Sequence, residues 1–266
     1  MTGPAPGALH GGRSQSWRMN SSWIVLIGGP RAAIMQVADP KVAAGVEQYS
    51  SFRTDPLGRL ERTLDAMLTI GFGSPTDRER VLAELRRMHA AVRGRTTDGA
   101  PYSALDPTLM YWVLATLVDT VLLVEQRYVG RMRDSDRAQY FDESRAITEA
   151  FGIPASFEPD SLAEFREYMS DTVASLRPSV ASREITTTLL QPGLRWVPDT
   201  AFVPLDWVTL ELLPTTMRHR LRLGDLSPTQ LAAVRGAQRV SRSALPRLPR
   251  QLTVNPLTSR AVRGAA

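Results

Sequence analysis

The residues best suited to chemistry in this sequence lie in one predicted helix, which carries one of its three histidines. At 100° per residue, Arg86, His89 and Arg93 fall within about 60° of one another on that helix. A neutral imidazole is a common metal ligand, and guanidinium groups pair with carboxylates. This trio therefore fits a planar, anionic, iron-containing macrocycle, with the imidazole on the iron and the guanidinium groups on the propionates.

An apolar stripe beside this trio on the same predicted helix would pack against such a ring. Its members are Val81, Leu85, Met88 and Val92. The same pattern also describes an ordinary amphipathic surface helix with a histidine at its boundary. The residues alone leave both interpretations open.

A second polar trio follows helical spacing earlier in the chain. Arg59, Arg62 and Thr63 stand at i, i+3 and i+4, so they are neighbours on a helix surface. Apolar residues form the adjacent face of that helix: Leu57, Leu60, Leu64, Met67 and Leu68. The trio fits a set of hydrogen-bond donors beside an apolar wall, or two exposed arginines and a threonine within a helix.

The composition excludes several kinds of site. The sequence has no cysteine, which rules out disulfides, thiolate catalysis, a thiolate-ligated haem and iron–sulfur clusters. The remaining histidines, His10 and His219, do not pair with His89 at a spacing typical of zinc or of a two-histidine iron site. We expect His10 to be inert and His219 to be solvated.

The charge is mildly basic, +5 at pH 7, from 32 basic and 27 acidic residues. Most arginines lie on predicted helices that also carry acids, which is typical of solvated faces and not of a nucleic-acid-binding stripe. Residues 235–263 are an exception, since they contain seven arginines and no acid. That run suits either an anionic surface or a solvated tail, and we expect no nucleic-acid partner.

The pattern of apolar residues predicts an all-α fold in a single globular domain. We expect a disordered N-terminal tail over 1–21, a helical domain over 22–245 and a Pro/Arg-rich tail over 246–266. The N-terminus has no apolar core of the kind found in signal peptides, so a cytoplasmic location is expected.

Local signals predict individual elements. Asp55 and Asp106, each followed by proline, are typical N-caps, the first for a helix that ends near residue 71. Ser135 is the predicted cap of another helix. A strand is possible over 23–27, a polar loop is expected over 94–101, and regular structure is expected to end near residue 246.

The longest apolar run, 109–124, contains Asp119. It is 16 residues long, too short and too interrupted to span a bilayer, so we predict a buried helix. A buried carboxylate needs a partner. We expect Asp119 to pair with an arginine of another helix.

Five segments of the chain resemble the bacterial branch of the MpaB and latex-clearing-protein (rubber oxygenase) family. They cover 28–32 (GGPRA), 42–46 (VAAGV), 55–63 (DPLGRLERT), 86–94 (RRMHAAVRG) and 102–107 (YSALDP), the last leading into Trp112. Their order and spacing also agree, and with looser similarity the resemblance extends over residues 23–245.

The resemblance implies a mostly helical fold around one b-type haem. Latex-clearing proteins cleave isoprenoid double bonds with dioxygen, and MpaB-like enzymes cleave a prenyl chain. The family's Arg-x-x-His-x-x-x-Arg pattern, which supplies the axial histidine, matches Arg86, His89 and Arg93. Its distal Arg-x-x-Lys-Thr pattern matches 59–63, with arginine at position 62 in place of lysine. A guanidinium stays protonated and cannot bind iron as an amine can.

The sequence also departs from the family at three positions where bacterial relatives often have histidine. Here they are Asp39, Tyr49 and Leu114. The resemblance implies a haem b-dependent oxygenase that acts on a hydrophobic substrate (isoprenoid, lipid or natural product) with dioxygen or peroxide. The alternative is a haem-binding accessory or carrier protein of the same fold without oxygenase activity.

Overall fold

The computed structural model describes residues 3–50, 56–191, 202–249 and 253–263. The fold is all-α, as predicted, and forms one domain with two short strands in its described part. The first elements are the helices α1 (Gln15–Asn20), α2 (Gly29–Val37), α3 (Pro40–Tyr49), α4 (Pro56–Phe72) and α5 (Pro75–Ala91), then the strands β1 (Arg93–Arg95) and β2 (Pro101–Ser103). The later helices are α6 (Pro107–Val124), α7 (Asp134–Ala150), α8 (Leu162–Ser175), α9 (Val180–Leu190), α10 (Val203–Leu212), α11 (Thr215–Arg220), α12 (Pro228–Ala244) and α13 (Pro256–Arg263).

Local capping explains several helix starts. The Asp39 carboxylate accepts from the Lys41 amide at 2.7 Å, and the Asp106 carboxylate accepts from the Thr108 amide at 2.9 Å. In both cases proline occupies the first helical position, where its missing N–H costs no hydrogen bond. The predicted cap at Asp106 is confirmed. Asp55, predicted to cap α4, lies outside the described residues.

The main core surrounds α6. Trp112 of this helix is buried with Met35 of α2, Phe141 of α7, Phe165 of α8 and Met217 of α11. Because elements from both halves of the chain contribute to one apolar cluster, the described helices form a single folding unit.

The predicted partner of Asp119 is Arg31 on α2. The Arg31 Nη2 lies 2.6 Å from the Asp119 Oδ2, and the guanidinium also donates to the Thr120 hydroxyl and the Leu212 carbonyl. Only 3% of the Arg31 side chain is exposed. A guanidinium so deeply buried is stable here because several acceptors satisfy its donors. The predicted ion pair is confirmed.

One helix in the described part, Pro107–Val129, is long and apolar enough to cross a membrane by length and composition alone. It consists of α6 and a π-helical turn, Glu125–Val129, and is longer than the predicted run over 109–124. The core helix of a soluble protein passes the same test, so this property is weak evidence for a membrane span. Inward-facing residues of α6 contribute to the main core.

The N-terminal segment is not disordered over its described length, contrary to the prediction for 1–21. Its helix α1 buries Trp17 and Met19, and the Trp17 ring stands edge-on to Phe72 with centroids 5.0 Å apart. His10, expected in a disordered start, is buried and only 5% exposed. Burial of these two large apolar side chains stabilises the segment, although its Gly/Pro-rich composition is typical of disorder.

Regular structure also continues past residue 246, where it was expected to end. Helix α13 packs along α4, with Ala261 buried against it. The Asn255 amide donates to the Ser21 carbonyl at 2.7 Å, so the two terminal segments meet. Helix α13 is amphipathic but only eight residues long, and its apolar side is buried only by contact with α4.

Three smaller predictions were wrong. Residues Trp23–Gly28 form a 3₁₀ turn and not a strand. The predicted loop over 94–101 is framed by an antiparallel pair, β1 and β2. Helix α7 begins one residue before Ser135, and Asp136 closes its first turn by accepting from the Arg133 amide at 2.9 Å.

Candidate functional site

Both predicted trios lie at one end of a helical hairpin made of α4 and α5. The two helices are joined by only Gly73 and Ser74 and pack against each other, so they run antiparallel. At 1.5 Å per residue, Arg59 and His89 each stand about 20 Å from that turn. We call this far end of the hairpin the open end, and the end at Gly73 and Ser74 the closed end.

His89 lies on the inward side of α5. The residues of this helix with the least exposure follow helical spacing from Leu82 through Leu85 to His89, and the imidazole is half-buried. It makes no hydrogen bond to any described residue, and burial lowers its pKa. The ring is therefore neutral at pH 7 with a lone pair available for a metal.

The two predicted arginine partners of His89 are placed differently from expectation. Helix α5 ends at Ala91, so Arg93 belongs to β1 and does not share a helical face with Arg86. The carbonyl of Arg93 accepts from the Tyr49 hydroxyl at 3.0 Å. Arg86 is exposed and donates to the Ala150 carbonyl, at 3.2 Å. The helix stops because Val92 adopts extended backbone angles.

The predicted apolar stripe of α5 is also only partly correct. Met88 is 53% exposed and does not line the inward side, whereas Leu82, outside the predicted stripe, is buried. Val81, Leu85 and Val92 are half-buried. The apolar wall beside His89 is therefore centred on Leu82 and Leu85, and the exposed Met88 does not belong to it.

The β-hairpin ties α3 to the end of α5. The Tyr102 hydroxyl donates to the Gln48 side-chain oxygen at 2.5 Å, and Tyr102 also lies within packing distance of Gly45. A Cβ on Gly94 would stand 3.0 Å from the Tyr102 hydroxyl, so glycine permits this approach. Sequence reasoning missed Gln48 and Tyr102, because nothing local signals a pair 54 residues apart.

Two members of the second trio lie on the exposed side of α4. Arg62 and Thr63 are exposed neighbours on the helix surface, and each takes part in polar interactions. Arg59 belongs to the same helix by its backbone, and its side chain lies outside the description. Arg62 and Thr63 stand about 15 Å from the turn of the hairpin, opposite the middle of α5 and about one helical turn short of the height of His89.

A family model of known proteins matches residues 17–243 of this chain, which is most of its length. Its description is "ER-bound oxygenase mpaB/B'/Rubber oxygenase, catalytic domain". The chain belongs to this family. Searches of curated proteins and of solved structures found no match.

The mpaB/rubber oxygenase match spans α2 to α11 completely, including both arms of the helical hairpin. It confirms the resemblance read from the five sequence segments. It also confirms the coarser part of the functional prediction, that this is an oxygenase-family chain.

The three positions at which the resemblance leads us to expect histidine have structural roles here. Asp39 caps α3, and the Tyr49 hydroxyl holds β1 through the Arg93 carbonyl. Leu114 is buried in the main core. None of these three side chains is left without a function in the fold.

No group of three or more His, Cys, Asp or Glu side chains that could hold a metal occurs among the described residues. A haem ring needs only one protein ligand to its iron on the proximal side, and a half-buried, neutral and unpartnered imidazole fits that requirement. His89 has these properties. His219, as expected, is exposed, and its Nε2 lies 3.5 Å from Asp225.

Proposed function

We propose that this chain is a haem b-dependent oxygenase that acts on a hydrophobic substrate, and that His89 would hold the haem iron. The single observation that carries the proposal is the His89 imidazole, which is inward-facing, neutral and without a hydrogen-bond partner among the described residues. Membership of an oxygenase family supports it. Bound haem would supply the activation of dioxygen or peroxide, which no side chain of this sequence can supply.

The arginines near His89 would bind the anionic edge of the ring. Arg86 is exposed, and among the described residues its guanidinium donates to one backbone carbonyl, so its remaining donors would be available for a propionate. Arg93 follows on β1, fixed through its carbonyl by Tyr49. Because Arg93 lies in an extended strand, helical spacing from Arg86 does not determine the direction of its side chain.

The donors on α4 would act on the reactants. Arg59, Arg62 and Thr63 would donate hydrogen bonds to the oxidant or to a polar group of the substrate. The Arg62 guanidinium has no acceptor atom, so it would stabilise negative charge and would not bind the iron itself. The chain therefore lacks the reversible self-ligation that a lysine at this position permits.

Apolar surface at the open end favours a hydrophobic substrate of the isoprenoid, lipid or natural-product class. Leu85 and Val92 are half-buried there, and Met88 is largely exposed. A flexible methionine adapts its shape to an irregular hydrocarbon chain. Binding such a chain would remove this apolar surface from water.

The test of the axial ligand is reconstitution with haem, followed by absorbance spectroscopy. Wild-type protein is expected to develop a Soret band, and His89→Ala is expected to lose it. His219→Ala is the matched control, because it removes a solvent-exposed histidine and should leave the band unchanged. An unchanged spectrum in His89→Ala would refute the assignment.

A second candidate is a haem-binding carrier or accessory protein without oxygenase activity. It is favoured by the absence of histidine at positions 39, 49 and 114, where many relatives have one. Dioxygen consumption by the ferrous protein with a panel of isoprenoids separates the two. An oxygenase should consume dioxygen, and Thr63→Ala should slow it by about 10- to 1,000-fold. A Soret band without consumption would establish the carrier.

A further inference from the structure

Six exposed arginines gather around the C-terminal half of α12. They are Arg127, Arg131, Arg235, Arg239, Arg242 and Arg247. We call these residues the basic surface. The sequence shows only the part of it that belongs to the run over 235–263. Arg127 comes from the π-helical turn after α6 and Arg131 from the segment that follows it, and the fold brings both to α12.

Hydrogen bonds to backbone carbonyls hold the two parts of the basic surface together. Arg242 donates to the carbonyls of Gln126 and Arg127, the latter at 3.0 Å, and the Ser241 hydroxyl donates to the Tyr128 carbonyl at 2.8 Å. Arg131 donates to a carbonyl just after α12. The arginines are thus arranged on a rigid support.

Two carboxylates of the elements packed here are buried and already bound. Glu125 is fully buried and accepts from the amides of Arg131 and Met132. The Glu211 side chain is 9% exposed and accepts from Gln238 at 3.0 Å. Glu211 also lies 3.7 Å from the Arg127 guanidinium and compensates that one charge. The other five arginines of the basic surface form no ion pair with a described residue, so they present uncompensated charge.

Apolar side chains stand exposed among these arginines. Val240 is 67% exposed on α12, and Leu248 is 40% exposed just after it. Smaller apolar side chains on the outer side of α12 are also exposed: Ala232, Ala233, Ala237 and Ala244. A phosphate backbone would use the arginines but not the apolar residues. A lipid surface uses both, because its headgroups are charged and its acyl boundary is apolar.

We propose that the basic surface docks on an anionic lipid bilayer, with the arginines on headgroup phosphates and with Val240 and Leu248 in the interfacial layer. Each basic residue near an anionic bilayer contributes to binding, and a rigid cluster of them adds these contributions. This proposal does not depend on haem or on oxygenase activity.

The experiment is co-sedimentation of the full chain with vesicles of phosphatidylcholine alone or mixed with phosphatidylglycerol. Binding is expected only to the mixed vesicles and should weaken as salt is raised, because salt screens exposed charges. The double variant Arg235→Glu/Arg239→Glu should bind at least about tenfold more weakly. Neither side chain bonds to a described residue, so the fold should be retained, as circular dichroism will check.

A matched control separates a local surface from net charge. Arg13→Glu/Arg166→Glu changes the total charge equally at exposed positions on the N-terminal segment and α8, and should bind like wild type. Val240→Ser should weaken binding a few-fold. The proposal would be overturned by equal losses of binding in both double variants or by the absence of binding to mixed vesicles. Displacement of the protein from the vesicles by duplex DNA would also overturn it.

Discussion

The two ends of the α4–α5 hairpin differ in almost every physical respect. At the closed end Trp17, Leu68, Phe72 and Ala261 form a buried apolar cluster with contributions from both terminal segments. At the open end the described side chains of the two helices are exposed or half-buried, and His89 lacks a hydrogen-bond partner among the described residues. The same pair of helices is thus anchored at one end and left available at the other.

The difference separates the end whose burial stabilises the fold from the end at which we propose the site. Burial of large apolar side chains supplies free energy of folding, whereas a site for a ligand must keep polar groups unsatisfied until the ligand arrives. The hairpin separates these demands by about 20 Å of helix. The following predictions test that separation.

The largest effect is expected from Phe72→Ala at the closed end. Phe72 is 2% exposed and contacts Trp17, so the variant leaves a cavity and should lower the free energy of unfolding by about 3–5 kcal/mol. Urea denaturation measures it. Met88→Ala at the open end is the control and should change stability by less than about 0.5 kcal/mol. Similar losses in the two variants would break the comparison.

A smaller loss is expected from Gly73→Ala, at the turn of the hairpin. An added Cβ would stand 2.6 Å from the Thr69 carbonyl oxygen and 3.3 Å from that of Ala261. The backbone would have to shift, at a cost of about 1–3 kcal/mol, measured by urea denaturation. Gly99→Ala, with no atom within 4 Å but a positive φ, tests strain without crowding. An unchanged free energy of unfolding in Gly73→Ala would show that the closed end is less tightly packed than the structure indicates.

The smallest effect concerns the two histidines, one at each end. Burial lowers the pKa of both His10 and His89, and nearby Glu143 partly opposes the shift at His10. The unfolded chain therefore binds more protons below the ordinary pKa of 6.5, and stability falls as the pH drops through that value.

Each histidine contributes a slope of at most about 1.4 kcal/mol per pH unit. His10→Gln and His89→Gln should each flatten part of the dependence of the unfolding free energy between pH 7 and 5, as urea titrations at each pH will measure. His219→Gln, at an exposed position, is the control. A single variant that removed the entire slope would show that only one end is pH-sensitive.

Local chemistry in the sequence was enough to predict most helices of the fold. Ser161 accepts from the Glu164 amide and Ser227 accepts from the Gln230 amide, in capping arrangements that depend only on residues three apart. The pairing of Asp119 with an arginine also followed from elementary electrostatics, since a carboxylate facing the core requires a partner. The sequence could not say that the partner is Arg31, which lies 88 residues away.

The sequence named the residues of the candidate site but not their arrangement. The resemblance singled out His89, and the structure half-buries its ring on the inward side of α5, where burial lowers the pKa of the imidazole. The expected alignment of Arg93 failed because the helix ends at Ala91. The helix ends where the β-hairpin begins, and the hydrogen bond between Tyr102 and Gln48 ties that β-hairpin to α3. Local sequence periodicity cannot predict a contact between such distant residues.

By itself, the sequence determined the helical class, the family and the cap residues at most helix starts, because these depend on composition, motifs and neighbours within one turn. Only the tertiary structure decided that both terminal segments pack on α4, that Arg127 and Arg131 join the arginines of α12, and that one end of the hairpin stays open. The physical reason is that burial and charge compensation depend on which distant side chains meet, and that is settled only when the whole chain has folded.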